Sequence, residues 1–295
     1  VAEGPSADEL ARAKTVILAG FVRGIERIGG FGGKADVLAE CAVYEGDPGC
    51  FREALANYAA TGAADVQAVG AKWLGKGSHT LVVEPGERTA LAEAPAATPA
   101  PFAPPAADAK YTTTPGTIDR GAGVPKTTAF PELKFPALQR ATLKNGSTVI
   151  LAERHDIPVV QFSYEFNGGY SSDAAGKGGL ASFAMGLLDE GAGGVGSLDF
   201  ANKAEALGAI LGAGASLDGG SAYLSALKEN LDPSLVLFAD MLRRPDFDQA
   251  EIDRIKASWI AGIRQEKAQP QALAARVGPA LLYGPQHPYG APATG

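Results

Sequence analysis

The sequence predicts an α+β fold, an antiparallel or mixed sheet covered by helices on one face. Three observations carry this. Strand-like runs recur at 141–151, at 159–166, where apolar and polar residues alternate at period two, and at 209–217 with 221–227. Segments with helical spacing stand between and after them. Gly-rich and Asn-Gly turn signals separate the two kinds of element.

The elements follow in chain order. Ser6-Ala7-Asp8-Glu9 fits a capping box, in which Ser6 accepts from a backbone N–H and Glu9 reaches back. Leu10, Ala13, Val16, Ile17, Phe21 and Ile25 then recur at helical spacing. Further helices are predicted over 35–44, 50–60 and 63–74, with a stop at Gly46-Asp47-Pro48-Gly49. His79 to Pro85 reads as a short strand. Residues 88–136 are dominated by Ala, Pro and Thr, a composition that cannot bury a core, and read as an extended linker. A hairpin follows over 141–151 around Asn145-Gly146, whose residues suit the positive φ angles of a tight turn. Val159–Phe166 reads as a strand, 178–189 and 198–207 as helices, and 209–217 with 221–227 as a strand pair. Helices over 232–242, 248–267 and 271–282 close the order, with Pro233 and Asp248 marking two starts.

Bulk properties exclude several classes. The chain has 295 residues, enough for two domains, and 46% of them are hydrophobic, enough for sizeable cores. A net charge of −7 with no Lys/Arg cluster argues against nucleic-acid binding. No apolar run reaches the length of a membrane span. The sequence starts without Met and stops without a closing element, as expected of a piece of a longer protein. Cys41 and Cys50 admit either a disulfide or two free thiols.

Few residues offer chemistry of their own. His79, His155 and His287 are too far apart for a local metal motif, and each reads first as a structural residue. Asp189 and Glu190 are adjacent, so a helix would point them in different directions, and a turn role is expected. The glycines from Gly191 to Gly196 lack the Lys-Ser/Thr of a phosphate loop.

A wider pattern does point to a family. Gly179-Leu180-Ala181-Ser182-Phe183-Ala184-Met185-Gly186 resembles the metal-binding helix of insulinase/pitrilysin-type (inverzincin) zinc metallopeptidases, Gly-Leu-Ala-His-x-x-Glu-His. Leu143-x-Asn145-Gly146-x-x-Val149-x-Leu151, Glu190-Gly191-Ala192, Arg244-Pro245-x-Phe247 and His287-Pro288-Tyr289-Gly290 resemble later landmarks of one repeat. Gly4-Pro5-Ser6, Gly46-Asp47-Pro48, Trp73-Leu74 and Val83-Glu84-Pro85 resemble the end of a preceding one.

The resemblance implies a processing-peptidase-like α/β sandwich and three segments: 1–87, the C-terminal part of a first repeat; 88–136, the linker; and 137–295, the N-terminal half of a second. It equates Ser182 and Gly186 with zinc-binding histidines, Met185 with the general base, and Gly262 with the third ligand, a glutamate on a later helix. Neither a hydroxyl, a thioether nor a hydrogen atom replaces a zinc-binding imidazole or an ionised base. The implied protein is a two-repeat zinc metalloendopeptidase, exported to the periplasm, whose zinc sits in the other repeat. This segment then holds no cofactor and helps enclose peptide or unfolded-protein substrates beside the catalytic repeat or a homologous subunit. The strand at 159–166 reads first as a structural strand, and it is the one place where a peptide-binding edge is considered. The alternative is a non-catalytic scaffold or partner subunit that binds peptides without cutting them.

Overall fold

The computed structural model describes residues 3–87, 119–123, 129, 130, 132 and 134–295. The linker expected at 88–136 falls largely outside them. The chain divides into two compact units, residues 1–76 with 154–295, and residues 77–153. The repeat boundaries implied at 87 and 137 concern relatedness rather than contact and are taken up below.

The first unit opens with four helices, α1 (Ala7–Gly24), α2 (Lys34–Tyr44), α3 (Phe51–Ala60) and α4 (Ala63–Leu74). Ser6 caps α1 as expected: its hydroxyl accepts from Glu9 N–H at 3.3 Å, and Glu9 accepts from Ser6 N–H at 2.8 Å. Of the two readings left open for the cysteines, the structure has the disulfide, joining Cys41 in the last turn of α2 to Cys50 just before α3.

The second unit contains the hairpin β1 (Leu138–Thr142) and β2 (Thr148–Ala152), closing at Thr142↔Thr148. Its loop is longer than the two-residue turn expected. Leu143 N–H donates to Ser147 O, Gly146 N–H to Leu143 O, and only Gly146 takes a positive φ (+86°). Asn145 instead uses its side chain, accepting from Ser147 N–H at 3.1 Å. No strand forms over 79–85 among the described residues, since an apolar run without a neighbouring strand has nothing to complete its ladder.

The remainder of the first unit is built on a three-stranded antiparallel sheet in the order β3–β7–β6. Its strands are β3 (Val159–Asn167), β6 (Ile210–Ala215) and β7 (Gly219–Leu227). Between β3 and β6 come α5 (Leu180–Met185), the two-residue strands β4 (Gly191–Ala192) and β5 (Val195–Gly196), and α6 (Ser197–Ala206). After β7 come α7 (Leu231–Arg243), α8 (Gln249–Ala268) and α9 (Pro270–Tyr283). The glycine-rich stretch at 191–196 forms a miniature hairpin, turned by Gly193 and Gly194 at φ +67° and +80°.

Strand register sorts the sheet into two chemically distinct faces. Phe162, Leu224 and Leu211 share one face with Tyr164, Ala222 and Ala213. Ala222, Leu224 and Ala226 there are almost fully buried against Phe200 of α6 and Leu237, Phe238 and Met241 of α7. Burial of these side chains is the main stabilising term, at about 25 cal/mol per Å² of apolar surface. The opposite face carries Gln161, Ser163, Glu165, Ser221, Tyr223 and Ser225 with Gly212 and Gly214. The end of α1 reaches this polar face. Arg23 donates to Ser225 Oγ and Ser225 O, both at 2.9 Å, and to Gly208 O. Ala19 of α1, 1% exposed, lies where any side chain at Gly208 would collide with it.

Candidate functional site

The segment expected to be a helix over 178–189 is helical only from Leu180 to Met185 and breaks into turns at Gly186. Its entry is fixed by backbone geometry. Gly179 sits at φ +87°, and a Cβ there would come within 2.7 Å of the Thr294 carbonyl group. Glycine alone meets both conditions. Asp173 reaches over from the preceding loop and accepts from Ala181 N–H at 3.0 Å, supplying the cap that Gly179 lacks.

The four positions equated with ligands and base are held as follows. The Ser182 Oγ is buried and has no hydrogen-bond partner, as is the second oxygen of Asp173. Met185 packs its terminal methyl over Gly220 of β7, beside Phe166. Gly186 is exposed at the end of α5. Gly262 lies in the middle of α8, exposed, with open space where a side chain would project. One aromatic contact joins the two helices: Phe183 of α5 meets Trp259 of α8 edge to face at 5.6 Å. The Trp259 indole N–H donates to Thr294 O at 3.0 Å, which seats residues 292–295 beside the start of α5.

A zinc ion does not fit this group. A neutral hydroxyl, a thioether and two glycines supply neither the imidazole nor the carboxylate donors the metal needs, and none of them accepts a proton from water near neutral pH. Among the described residues no three His, Cys, Asp or Glu side chains stand close enough together to hold a metal ion.

The other candidates stay apart. His287 accepts from Tyr289 N–H through Nδ1 at 3.1 Å and stacks on Tyr283, which is a turn contact. His79 is exposed in the second unit, and His155 lies in the connection before β3. Asp189 and Glu190 follow α5 in a turn and have different surroundings. Glu190 accepts from Ser197 Oγ at 2.7 Å and pairs with Arg254 of α8. Asp189 is half-buried, and burial pushes its carboxyl above the usual carboxylate range; its own backbone N–H opposes the shift and Glu190 adds to it.

Both outer strands of the sheet, β3 and β6, present backbone edges within this unit among the described residues. The sequence pointed to β3. α5 lies mainly along β6, whose Gly212 and Gly214 leave little side chain over the backbone. No sequence signal separates these two strands, because strand order comes from tertiary pairing.

An antiparallel sheet with helices on its apolar face and a short glycine-led helix beside its edge strand form the frame of this site, and among the described residues no group of side chains there could hold a metal ion. Residues 148–280 match the model of the insulinase family, peptidase family M16. The non-peptidase homolog YmxG of Helicobacter pylori is 28% identical over 146 residues, which is 49% of this chain and 34% of that protein. The solved peptidase M16 inactive domain from Pseudomonas fluorescens is 31% identical, with a TM-score of 0.51, over 54% of this chain and 38% of that one. A solved protease from Helicobacter pylori is 22% identical with a TM-score of 0.49, over 55% and 39%. The chain thus spans little more than a third of the length of these relatives.

Proposed function

We propose that this chain is a non-catalytic portion of a two-repeat zinc metallopeptidase. Residues 1–87 end a first repeat, 88–136 link, and 137–295 begin a second repeat that has lost its chemistry. Zinc-dependent peptide hydrolysis belongs to the first repeat, and this segment helps enclose and bind an extended peptide. One observation carries the reading: the frame around α5 is kept, with Gly179, its Asp173 cap and the Trp259 brace, while Ser182, Met185, Gly186 and Gly262 hold no ligand and no base. The polar face of the sheet, with an open edge strand beside α5, suits a chain that adds by backbone hydrogen bonds. The Cys41–Cys50 disulfide supports export to an oxidising compartment such as the periplasm.

A second reading is a scaffold or partner subunit that binds peptides, or a catalytic subunit, without cutting. It is favoured by the names of two relatives, a non-peptidase homolog and an inactive domain. Full-length protein, incubated with an unstructured fluorogenic peptide with and without a chelator, separates the two. Chelator-sensitive cleavage supports the peptidase reading. Peptide binding by fluorescence polarisation without cleavage supports the scaffold. Loss of both cleavage and binding refutes both readings.

A further inference from the structure

The helix α2 is held differently from its neighbours. α3 is fastened to α1 directly, by the Phe21–Phe51 ring stack at 5.9 Å and by Lys14 Nζ donating to Ala59 O at 2.8 Å. Among the described residues no side-chain hydrogen bond or ion pair joins α2 to α1 or α3. Cys41 is the one buried residue of α2, at 5% exposed, and its sulfur is bonded to Cys50. Both flanks of α2 are glycine-rich. Gly29-Gly30-Phe31-Gly32-Gly33 precedes it, with Gly30 and Gly32 at φ +80° and +74°, and Gly46 at φ +73° follows it. Such residues absorb backbone rotation at little steric cost. Beneath α2 lies an apolar cleft of about 350 Å³, lined by Ile17 and Phe21 of α1, Val37 and Tyr44 of α2, and Leu55 and Tyr58 of α3.

We propose that α2 is a redox-latched flap: reducing Cys41–Cys50 releases α2 alone, about its glycine hinges, and opens the apolar cleft between α1 and α3. The chemistry balances with a dithiol as reductant, either a reagent or a dithiol oxidoreductase. One thiolate attacks the sulfur of Cys50, the less buried partner. The S–S bond breaks and Cys41 leaves as a thiolate that takes up a proton. The second thiol of the reagent then closes its own disulfide and displaces Cys50. Two electrons pass to the protein, and the dithiol is oxidised. The inference stands apart from the peptidase reading, because it rests on α1–α3 alone.

The test is amide hydrogen exchange of the intact protein, oxidised and then held in dithiothreitol, with Cys50→Ser in oxidising buffer as a second route to the open form. Exchange in 37–44 should accelerate on the order of 80-fold, the loop-closure entropy of a nine-residue separation converted to an equilibrium constant. α1 and α3 should keep their protection, and binding of an apolar dye should rise. Unchanged exchange over 37–44 overturns the proposal. So does joint loss of protection in α1, α2 and α3, which would make the disulfide a staple of the whole helical region.

Discussion

Met241→Ala should cost about 3 kcal/mol of stability. Met241 is 0% exposed on α7 and sits in the cluster with Phe200, Ala222, Leu224 and Phe238. Truncation removes three heavy atoms beyond Cβ, worth about 2.4 kcal/mol at ~0.8 per methylene-sized group. The cavity left behind adds about 1–2 kcal/mol. Relief of side-chain entropy and the better helix propensity of Ala return about 1 kcal/mol. Val236, on the same helix but 63% exposed, is the internal control. Val236→Ala should stay within about 0.5 kcal/mol of the parent. Urea unfolding followed by far-UV circular dichroism reads both, and the slope should be unchanged, since the native fold is the same. Equal midpoints for the two variants would show that the face of α7 assigned to the core is wrong. A loss that depends on added zinc would show that a metal, not packing, holds this region.

Two titratable groups make further predictions. Burial raises the Asp189 carboxyl in the folded state, so its contribution is full below the unfolded value and is lost as pH rises through the folded one. Asp189→Asn should therefore raise the urea midpoint at neutral pH and leave it nearly unchanged in acid; a drop at neutral pH would refute this. Glu9 has the opposite sign. Hydrogen bonds first from the Ser6 backbone N–H and then from its hydroxyl lower its pKa, so its support of α1 is present above the unfolded value and lost as pH falls through the folded one. The NMR shift of the Ser6 amide should move on acidification, and Glu9→Gln should remove most of that movement.

Signals that act within a few residues were legible in the sequence. The Ser6 and Asp248 caps start α1 and α8 where expected, because each needs only its own hydroxyl or carboxylate and a neighbouring N–H. Period-two alternation located β3, and its register with β7 gives the sheet one buried and one polar face. The early end of α5 was hidden because Leu187 and Leu188 continue an apolar pattern past Gly186; both pack into the core from turns instead. The extended segment at 79–85 looked like a strand, but pairing depends on a distant partner. The disulfide was undecided for the same reason: spacing permits it, and only the inward direction of Cys41 on α2 selects it. At the candidate site the sequence shows only which residues occupy the four positions, Ser182, Met185, Gly186 and Gly262. The buried, unpartnered hydroxyl of Ser182 and the packing of α5 against β6 were not legible there, since both arise from elements brought together by the fold.

The central claim is that the region matching the insulinase-family model keeps the backbone frame around α5 while the residues there supply no zinc ligands. Its most direct test is zinc content per chain, by mass spectrometry, after the purified protein is equilibrated with zinc and dialysed. The account predicts no stoichiometric zinc and no chelator-sensitive cleavage of an unstructured peptide by this chain. One tightly held zinc per chain, lost together with peptide cleavage on chelation, would contradict it.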